Sequence, residues 1–173
     1  MVTTALATAS LAPAAIRLRS YAEDPAWQRA WLNLEPENWR SLAIVPTGDL
    51  CALDVVHGLA SVAWQQRGTP QVIADLRQIA LQSLAAARAE LKRRSAGGDR
   101  IIIAVNSLES NPTTASIVRE VDKAVLCVYL GHTSRSQVKN AIRELGAQRC
   151  LGSIVVRSNG LPPVAKGSSK ITK

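Results

Sequence analysis

Apolar residues in this chain fall into two patterns, short uninterrupted runs and longer segments with helical spacing. The clearest runs lie at residues 42–45 (LAIV), 101–105 (IIIAV), 124–130 (AVLCVYL) and 151–156 (LGSIVV), with a weaker one at 71–74 (QVIA). Each is long enough for a buried strand and too short for an independent helix. Between the runs, apolar positions recur every three or four residues, which predicts amphipathic helices. Strands without polar alternation, separated by such helices, indicate an α/β domain with a mainly parallel sheet of about five strands and helices on both faces.

The unit that organises the chain is residues 41–68, an apolar strand followed by a turn and a helix. Residues 46–49 (PTGD) break the strand with turn chemistry, and Gly68 stands where a helix C-cap glycine is expected. This order is typical of phosphate-binding α/β domains, in which backbone N–H groups and a helix N-terminus face an anion. A P-loop also needs a lysine and a hydroxyl before the helix, in the pattern GxxxxGK[ST], whereas residues 51–54 read CALD. The sequence therefore predicts the scaffold of such a loop without its chemistry.

A helix is predicted to begin at Asp24, an N-cap followed by proline at the first helical position. It carries Trp27 and Trp31 four residues apart, hence on one face, and Pro36 ends it. Two interpretations of this face are open. The tryptophans pack against the edge of the sheet, or they form a partner-binding face, since tryptophan is enriched at protein interfaces.

Two later helices are predicted from apolar spacing. Asp75 is expected to cap a helix whose apolar stripe starts at Leu76, continues through Ala80, Leu84, Ala87 and Leu91, and ends at Gly97-Gly98. The last helix, closed by Gly146, is expected to turn four apolar residues inward: Val138, Ala141, Ile142 and Leu145.

Arg135, Lys139 and Arg143 fall at i, i+4 and i+8 of this last helix and form a basic stripe. The stripe is either a solvated face or a contact for an anionic partner. Nucleic acid is not favoured as that partner, because neither aromatic residues interleaved with basic ones nor a helix-turn-helix pattern accompanies the stripe.

Composition narrows the class of protein. The 173 residues and 47% apolar content suit one globular domain, predicted at 24–157 between a flexible arm (1–23) and a basic, disordered tail (158–173). The three cysteines form no CxxC pair, which argues against a disulfide framework and a zinc site and fits a reducing cytoplasm. No apolar run approaches the roughly 20 residues that span a bilayer. Half of the net charge of +8 falls in residues 157–173, which hold four basic residues and no acid.

Four segments in order resemble bacterial tyrosine kinases, the cytoplasmic ATPases of capsule and exopolysaccharide export and relatives of the MinD/ParA group. Residues 72–77 (VIADLR) resemble the strand end VLLIDADLR of that family, and 101–104 (IIIA) resemble its VIIDTPP strand. Residues 121–134 (VDKAVLCVYLGHTS) resemble ADAVLLVVRPGRTS, and 145–156 resemble the closing LG…LGVVLN segment. The resemblance spans about residues 38–158 and implies a P-loop-ATPase-like fold.

The same resemblance implies that the catalytic residues are missing. The Walker A lysine of the family falls on Ala52 and its magnesium-binding hydroxyl on Leu53, in the loop that contains Thr47, Gly48 and Asp49. The first aspartate of the DAD pair falls on Ile73, whereas the second is kept as Asp75, followed by Arg77; the Walker B aspartate falls on Ala104. The tail has no tyrosine to phosphorylate. Because phosphoryl transfer rests on lysine, magnesium and their positioning, neither ATPase nor kinase activity is expected, and no cofactor or metal.

Other enzyme chemistry has weak support in the sequence. His57 lies within a predicted helix, and His132 lies in a strand-end loop without the GxSxG elbow of a hydrolase. Asp75 and Arg77 are either a remnant ligand site or a helix cap with its surface neighbour. The resemblance favours a non-catalytic binding or regulatory component of exopolysaccharide synthesis and export. Its partner would be a protein, such as the cytosolic end of a membrane chain-length protein, or a second copy of the chain. The alternative is a ParA/MinD-like positioning or regulatory protein that has lost its ATPase.

Overall fold

Strands and helices alternate along the chain, as the apolar pattern predicts. The structure, a computed structural model, describes residues 21–48, 50–68 and 70–156. The elements are α1 (Pro25–Leu34), β1 (Ser41–Pro46), α2 (Ala52–Arg67), β2 (Val72–Asp75), a 3-10 turn (Leu81–Ser83), α3 (Leu84–Ala96), β3 (Ile101–Ala104), α4 (Pro112–Glu120), β4 (Lys123–Tyr129), α5 (Arg135–Leu145) and β5 (Cys150–Val156).

The five strands form one parallel sheet in the order β2-β3-β1-β4-β5. The first strand of the chain is thus the central one, and it pairs with β3 on one side and β4 on the other. Because all strands run the same way, the loops that follow them meet at one edge of the sheet. This arrangement confirms the predicted fold class.

Each face of the sheet has its own apolar core. The first core packs α1 and α2 against side chains such as Leu42 and Ile44, and the second packs α3, α4 and α5 against side chains such as Ala43 and Val45. Alternate residues of β1 therefore point to opposite cores, and all six residues of the strand are buried. The strand at the β5 edge is different, because Val155 remains 55% exposed.

The predicted domain boundary falls too late on its N-terminal side. Residues 21–23 are helical, Ala22 is buried, and the ring of Tyr21 meets the ring of Trp27 edge-on at 5.6 Å. The rest of the predicted arm and all of the predicted tail lie outside the described residues. The start of α1 is as expected, since the Asp24 carboxylate accepts a hydrogen bond from the backbone N–H of Ala26 at 2.8 Å.

Two helix predictions are wrong in part. The helix expected from Leu76 begins only at Leu84, after a turn and the 3-10 segment. Asp75 does accept from the backbone N–H of Arg77, but the Arg77 carbonyl is bound by Asn106 and Asn111 and not by a helical N–H. In α5, Ala141 and Leu145 are buried as predicted, but Ile142 is 39% exposed and lies outside the core.

The paired tryptophans belong to the fold. Trp31 is completely buried in the first core, and the Trp27 ring packs against Gly58 of α2, where an added Cβ would lie 2.9 Å from that ring. Trp31 therefore has no exposed surface for a partner, and the partner-face interpretation is wrong for it. The tryptophans pack against α2 and the core beneath it.

No helix in the described part of the chain has the length and apolar content needed to cross a membrane. The longest of these helices, α2, has 16 residues.

Candidate functional site

The loop after β1 is closed by hydrogen bonds to the neighbouring strand. The Thr47 side chain donates to the backbone carbonyl of Cys127 at 2.8 Å and meets the Thr133 hydroxyl at 2.9 Å. The Thr133 hydroxyl also accepts from the backbone N–H of Tyr129 at 3.1 Å. Thr47 is buried, so its hydroxyl serves to join two strand-end loops. Gly48, with φ +69°, makes the turn that follows, and Asp49 lies outside the described residues.

Helix α2 begins without a side-chain cap. Cys51 occupies the N-cap position, and its thiol caps no backbone N–H. Ala52, the first helical residue, is completely buried, and Leu53 packs at the margin of the first core. The two positions that the family resemblance assigns to the lysine and the hydroxyl thus carry side chains that pack and cannot bind a phosphate or a cation.

Asp75 and Arg77 form a closed ion pair beside this helix start. The Arg77 Nε and Nη2 atoms donate to the two carboxylate oxygens of Asp75, each at 2.8 Å. The remaining terminal nitrogen, Nη1, lies 3.1 Å from the Cys51 sulfur. The hydrogen bonds from Arg77 lower the pKa of Asp75 against the opposing effect of burial, and Asp75 in turn raises the pKa of Arg77. The residues form one contact group across β2 and α2.

Two asparagines that the sequence analysis did not single out hold this group in place. The side-chain amides of Asn106 and Asn111 donate to the Arg77 carbonyl at 2.7 Å and 3.3 Å. Asn111 also caps α4 by accepting from the backbone N–H of Thr113. An asparagine before Pro112 is a helix-start signal, but its second role toward Arg77 depends on a contact 34 residues away.

Ala104 ends β3 next to this group. It pairs with Ile44 of β1 on one side and with Asp75 of β2 on the other, and it is completely buried. Ile73 packs against the same core as Ala104. Of the three positions to which the sequence resemblance assigns carboxylates, namely 73, 75 and 104, Asp75 is the one that carries a carboxylate.

A small cavity of about 70 Å³ opens between the loops after β1 and β3 and helix α5. Its polar lining comes from residues such as Glu109, Gln137, Asn140 and Glu144, and its ten lining residues include no lysine or arginine. The volume holds a few water molecules, whereas sites for drug-sized ligands measure about 300–1,000 Å³. Two carboxylates and no cation make the cavity unfavourable for a phosphate.

The remaining candidates lie on the surface near this edge. Arg135, Lys139 and Arg143 are all exposed on α5, as both interpretations of the stripe require. His132 stacks on Tyr129 with ring centroids 4.4 Å apart, and His57 lies half-buried on α2. In the described part of the chain, neither imidazole hydrogen-bonds to a serine, cysteine or carboxylate side chain, and no group of three His, Cys, Asp or Glu has a metal-binding arrangement.

Comparison with known proteins connects this geometry to a fold. No protein-family model matches the chain, and no curated protein is similar to it in sequence. The kinase domain of the Escherichia coli tyrosine kinase ETK superposes with a TM-score of 0.62 at 15% identity, covering 80% of this chain and 77% of that one. The chimeric protein CapA2B2 superposes with a TM-score of 0.63 at 14% identity, covering 81% of this chain and 88% of that one. The chain therefore has the α/β fold seen in the kinase domain of ETK.

Proposed function

We propose that this protein is a non-catalytic relative of the bacterial tyrosine kinases and serves as a binding or regulatory component of exopolysaccharide synthesis and export. It would act in the cytoplasm and reach the inner membrane through a protein partner. The fold shared with the ETK kinase domain supports the relationship. The loss of catalysis is supported by the chemistry of the residues at the carboxyl edge of the sheet.

The observation that carries the proposal is the burial of Ala52 and Ala104. Both are completely buried apolar residues, at the positions that the resemblance assigns to the Walker A lysine and the Walker B aspartate. Phosphoryl transfer depends on a lysine and magnesium to neutralise phosphate charge, and magnesium needs oxygen ligands. The buried methyl group of an alanine supplies neither a positive charge nor an oxygen ligand for magnesium.

The surroundings of the loop add to this argument. The Thr47 hydroxyl already donates to the Cys127 carbonyl, and the Arg77 guanidinium is occupied by Asp75. The nearby cavity presents Glu109 and Glu144, which repel an anion. These side chains offer a nucleotide phosphate little charge complementarity, and the adjoining cavity is too small to hold the nucleotide.

Calorimetry with magnesium and ATP or ADP at millimolar concentration tests this part of the proposal, together with an assay of hydrolysis and autophosphorylation. We expect no micromolar binding and no turnover. Magnesium-dependent turnover that disappears in Gly48→Val, which strains the loop at φ +69°, would contradict the proposal. That variant separates genuine activity from a contaminating ATPase.

A restored lysine should not restore activity. Ala52→Lys alone leaves Leu53 and Ala104 without metal ligands, so we expect no ATP hydrolysis. Since Ala52 is completely buried, thermal unfolding of the variant must be measured first. Turnover by a folded Ala52→Lys protein would show that the missing lysine was the single defect.

With Trp31 buried, the basic stripe of Arg135, Lys139 and Arg143 is the remaining candidate surface for the partner. Its three side chains are exposed on α5, and exposed charges mainly accelerate encounter with an oppositely charged surface. We therefore expect the cytosolic end of a chain-length protein from the same organism to bind faster at low salt than at high salt.

The test is surface plasmon resonance with that cytosolic segment and the double variant Lys139→Glu/Arg143→Glu. Arg29→Glu/Arg119→Glu, on exposed positions of α1 and α4, is the charge-matched control. The association rate should fall by about tenfold or more in the stripe variant and much less in the control. Equal losses in both would assign the effect to net charge, and no binding by the folded wild-type protein would favour the ParA/MinD-like alternative.

A further inference from the structure

Arg100 lies at the start of β3, at the edge of the sheet opposite the loops described above. Its guanidinium carbon is 3.9 Å from the centroid of the Trp39 ring and 5.8 Å from that of Trp31. The Trp39 ring is itself fixed, because its Nε1–H donates to the Leu34 carbonyl at 2.8 Å and its plane meets Trp31 at 88°. The stack therefore holds the guanidinium of Arg100 in one orientation.

The charge of Arg100 has no acceptor in the described part of the chain. Its Nε atom is buried without a hydrogen-bond partner, and so is Nε1 of Trp31 on the adjoining ring. The carboxylate of Glu35 binds Arg67, at 2.7 Å, and makes no ion pair with Arg100. Burial, together with the positive charge of Arg67, lowers the pKa of Arg100, while Glu35 offsets part of this effect.

The terminal nitrogens of the same guanidinium reach the surface. Of its three nitrogens, Nε is the one that is buried without a partner, so Nη1 and Nη2 remain accessible to solvent. These two atoms also have no acceptor among the described residues. The rings therefore hold the guanidinium in place while its two accessible nitrogens keep their donors free for an acceptor from outside the protein.

We propose that Arg100 is the anchor of an oxyanion-binding site, which takes a carboxylate or phosphate group end-on through Nη1 and Nη2. The planar fork of arginine matches such groups with two parallel N–H···O bonds. The Trp39 stack lowers the entropic cost of that geometry, because the guanidinium is already oriented before an anion binds. This site is separate from the carboxyl edge of the sheet and does not depend on the function proposed for it.

Nitrogen-15 NMR on the full chain tests the site directly, because arginine Nε–H and tryptophan indole N–H groups give their own signals. Phosphate and acetate are titrated separately into tens of millimolar, with sodium chloride holding the ionic strength constant. We expect saturable shifts of the Arg100 Nε and Trp39 indole signals. A response to both anions identifies a general oxyanion site, and a response to one alone identifies the group that the site prefers.

Arg100→Lys keeps the charge and most of the apolar stem but loses the fork, and we expect affinity to fall about tenfold, judged from the Trp39 signal. Arg119, exposed on α4, is the internal control, and its Nε signal should not shift saturably. The site is refuted if the Arg100 signal shows no saturable shift with either anion, or if Arg119 responds equally. Because the wild-type signal of Arg100 reports from the site itself, the test does not depend on the stability of the variant.

Discussion

Asp122 ties the central strand to its neighbour at the start of both strands, and its removal should weaken the fold measurably. One oxygen of its carboxylate accepts hydrogen bonds from the backbone N–H groups of Arg40 and Ser41, both at 2.8 Å, and from the Ser41 hydroxyl at 3.0 Å. The same hydroxyl accepts from the backbone N–H of Asp122 at 3.0 Å. Four hydrogen bonds thus join residues about 80 positions apart in the chain.

The expected loss follows from these bonds. A hydrogen bond to a charged group contributes about 1.5–3 kcal/mol, but water can replace part of it because the Asp122 residue is exposed. For Asp122→Ala we expect the free energy of unfolding to fall by about 2 kcal/mol in total, or roughly 4–8 °C in Tm for a domain of this size. Asp122→Asn, which keeps one acceptor oxygen but loses the charge, should cost about half as much.

The effect should depend on pH with a defined sign. Burial alone would raise the pKa of Asp122, but the hydrogen bonds from Arg40 and Ser41 outweigh it, and the pKa is lowered in the folded protein. Because the pKa of Asp122 is lower in the folded protein than in the unfolded chain, the ionised carboxylate stabilises the fold. This contribution is complete above the unfolded-state pKa of about 3.9 and is lost as the pH falls through the folded-state pKa. The stability gap between wild type and Asp122→Asn should therefore be largest at neutral pH and close in acid.

Urea unfolding at neutral pH and at a series of acidic pH values measures this gap. Asp99→Asn is the matched control, since Asp99 is an exposed acid whose contact with Arg94, at 3.8 Å, is a surface ion pair worth about 1 kcal/mol at most. The reasoning is refuted if Asp122→Ala costs no more than Asp99→Asn at neutral pH. It is also refuted if the gap between wild type and Asp122→Asn stays constant as the pH falls.

Two further predictions concern buried positions. Burial raises the pKa of the Cys127 thiol to about 12, so this cysteine should resist alkylation in the native protein, whereas Cys51 and Cys150 should react. Mass spectrometry after iodoacetamide treatment measures the three rates. Labelling of Cys127 as fast as that of Cys150 would contradict this prediction. Gly58→Ala places a Cβ 2.9 Å from the Trp27 ring, and we expect a net loss of about 1–2 kcal/mol in urea unfolding, because overpacking exceeds the gain in helix propensity. Trp27→Leu should therefore cost less in the Gly58→Ala background than in the wild type, and single losses that add, or that fall short of the loss in the double variant, would refute this explanation.

The sequence predicted correctly the buried strands and several helix ends, which depend on residues close together in the chain. The apolar runs of β1, β3 and β4 became central buried strands, and Asp24 and Gly68 mark helix ends as expected. These features could be predicted because burial and capping act within a few residues. The family resemblance also identified the correct fold, although sequence identity to the solved structures is only 14–15%.

The predictions of helix bounds failed where a side chain forms a hydrogen bond that the apolar spacing does not reveal. Leu76 and Ala80 have helical spacing with Leu84, yet Asp75 binds Arg77, whose carbonyl is then held by Asn106, and the chain stays irregular until the 3-10 turn. Helical spacing shows that a segment could bury an apolar face as a helix. It does not show whether side-chain hydrogen bonds to the backbone will stabilise a different conformation.

Contacts between residues that are distant in the chain could not be predicted from the sequence either. The Asp122 bonds to Ser41 and the stack of Arg100 on Trp39 each join segments that only the sheet order brings together. No spacing rule relates such positions, because the order β2-β3-β1-β4-β5 does not follow the order of the chain. For the same reason the sequence could not decide whether Trp31 packs in the fold or contacts a partner, since its burial depends on where α2 packs.

The position of β1 also has a consequence during synthesis on the ribosome. Ala43 pairs with Ile103 and Ala124, so this apolar strand leaves the ribosome well before either partner has been made. At about 5–20 residues per second, the roughly 80 residues to β4 correspond to about 4–16 seconds of translation. Until the chain reaches residue 104 this fully buried strand has both edges unpaired, and its other edge stays unpaired until β4 has been made. Nascent chains that end before β3 should therefore be the ones that bind chaperones most strongly.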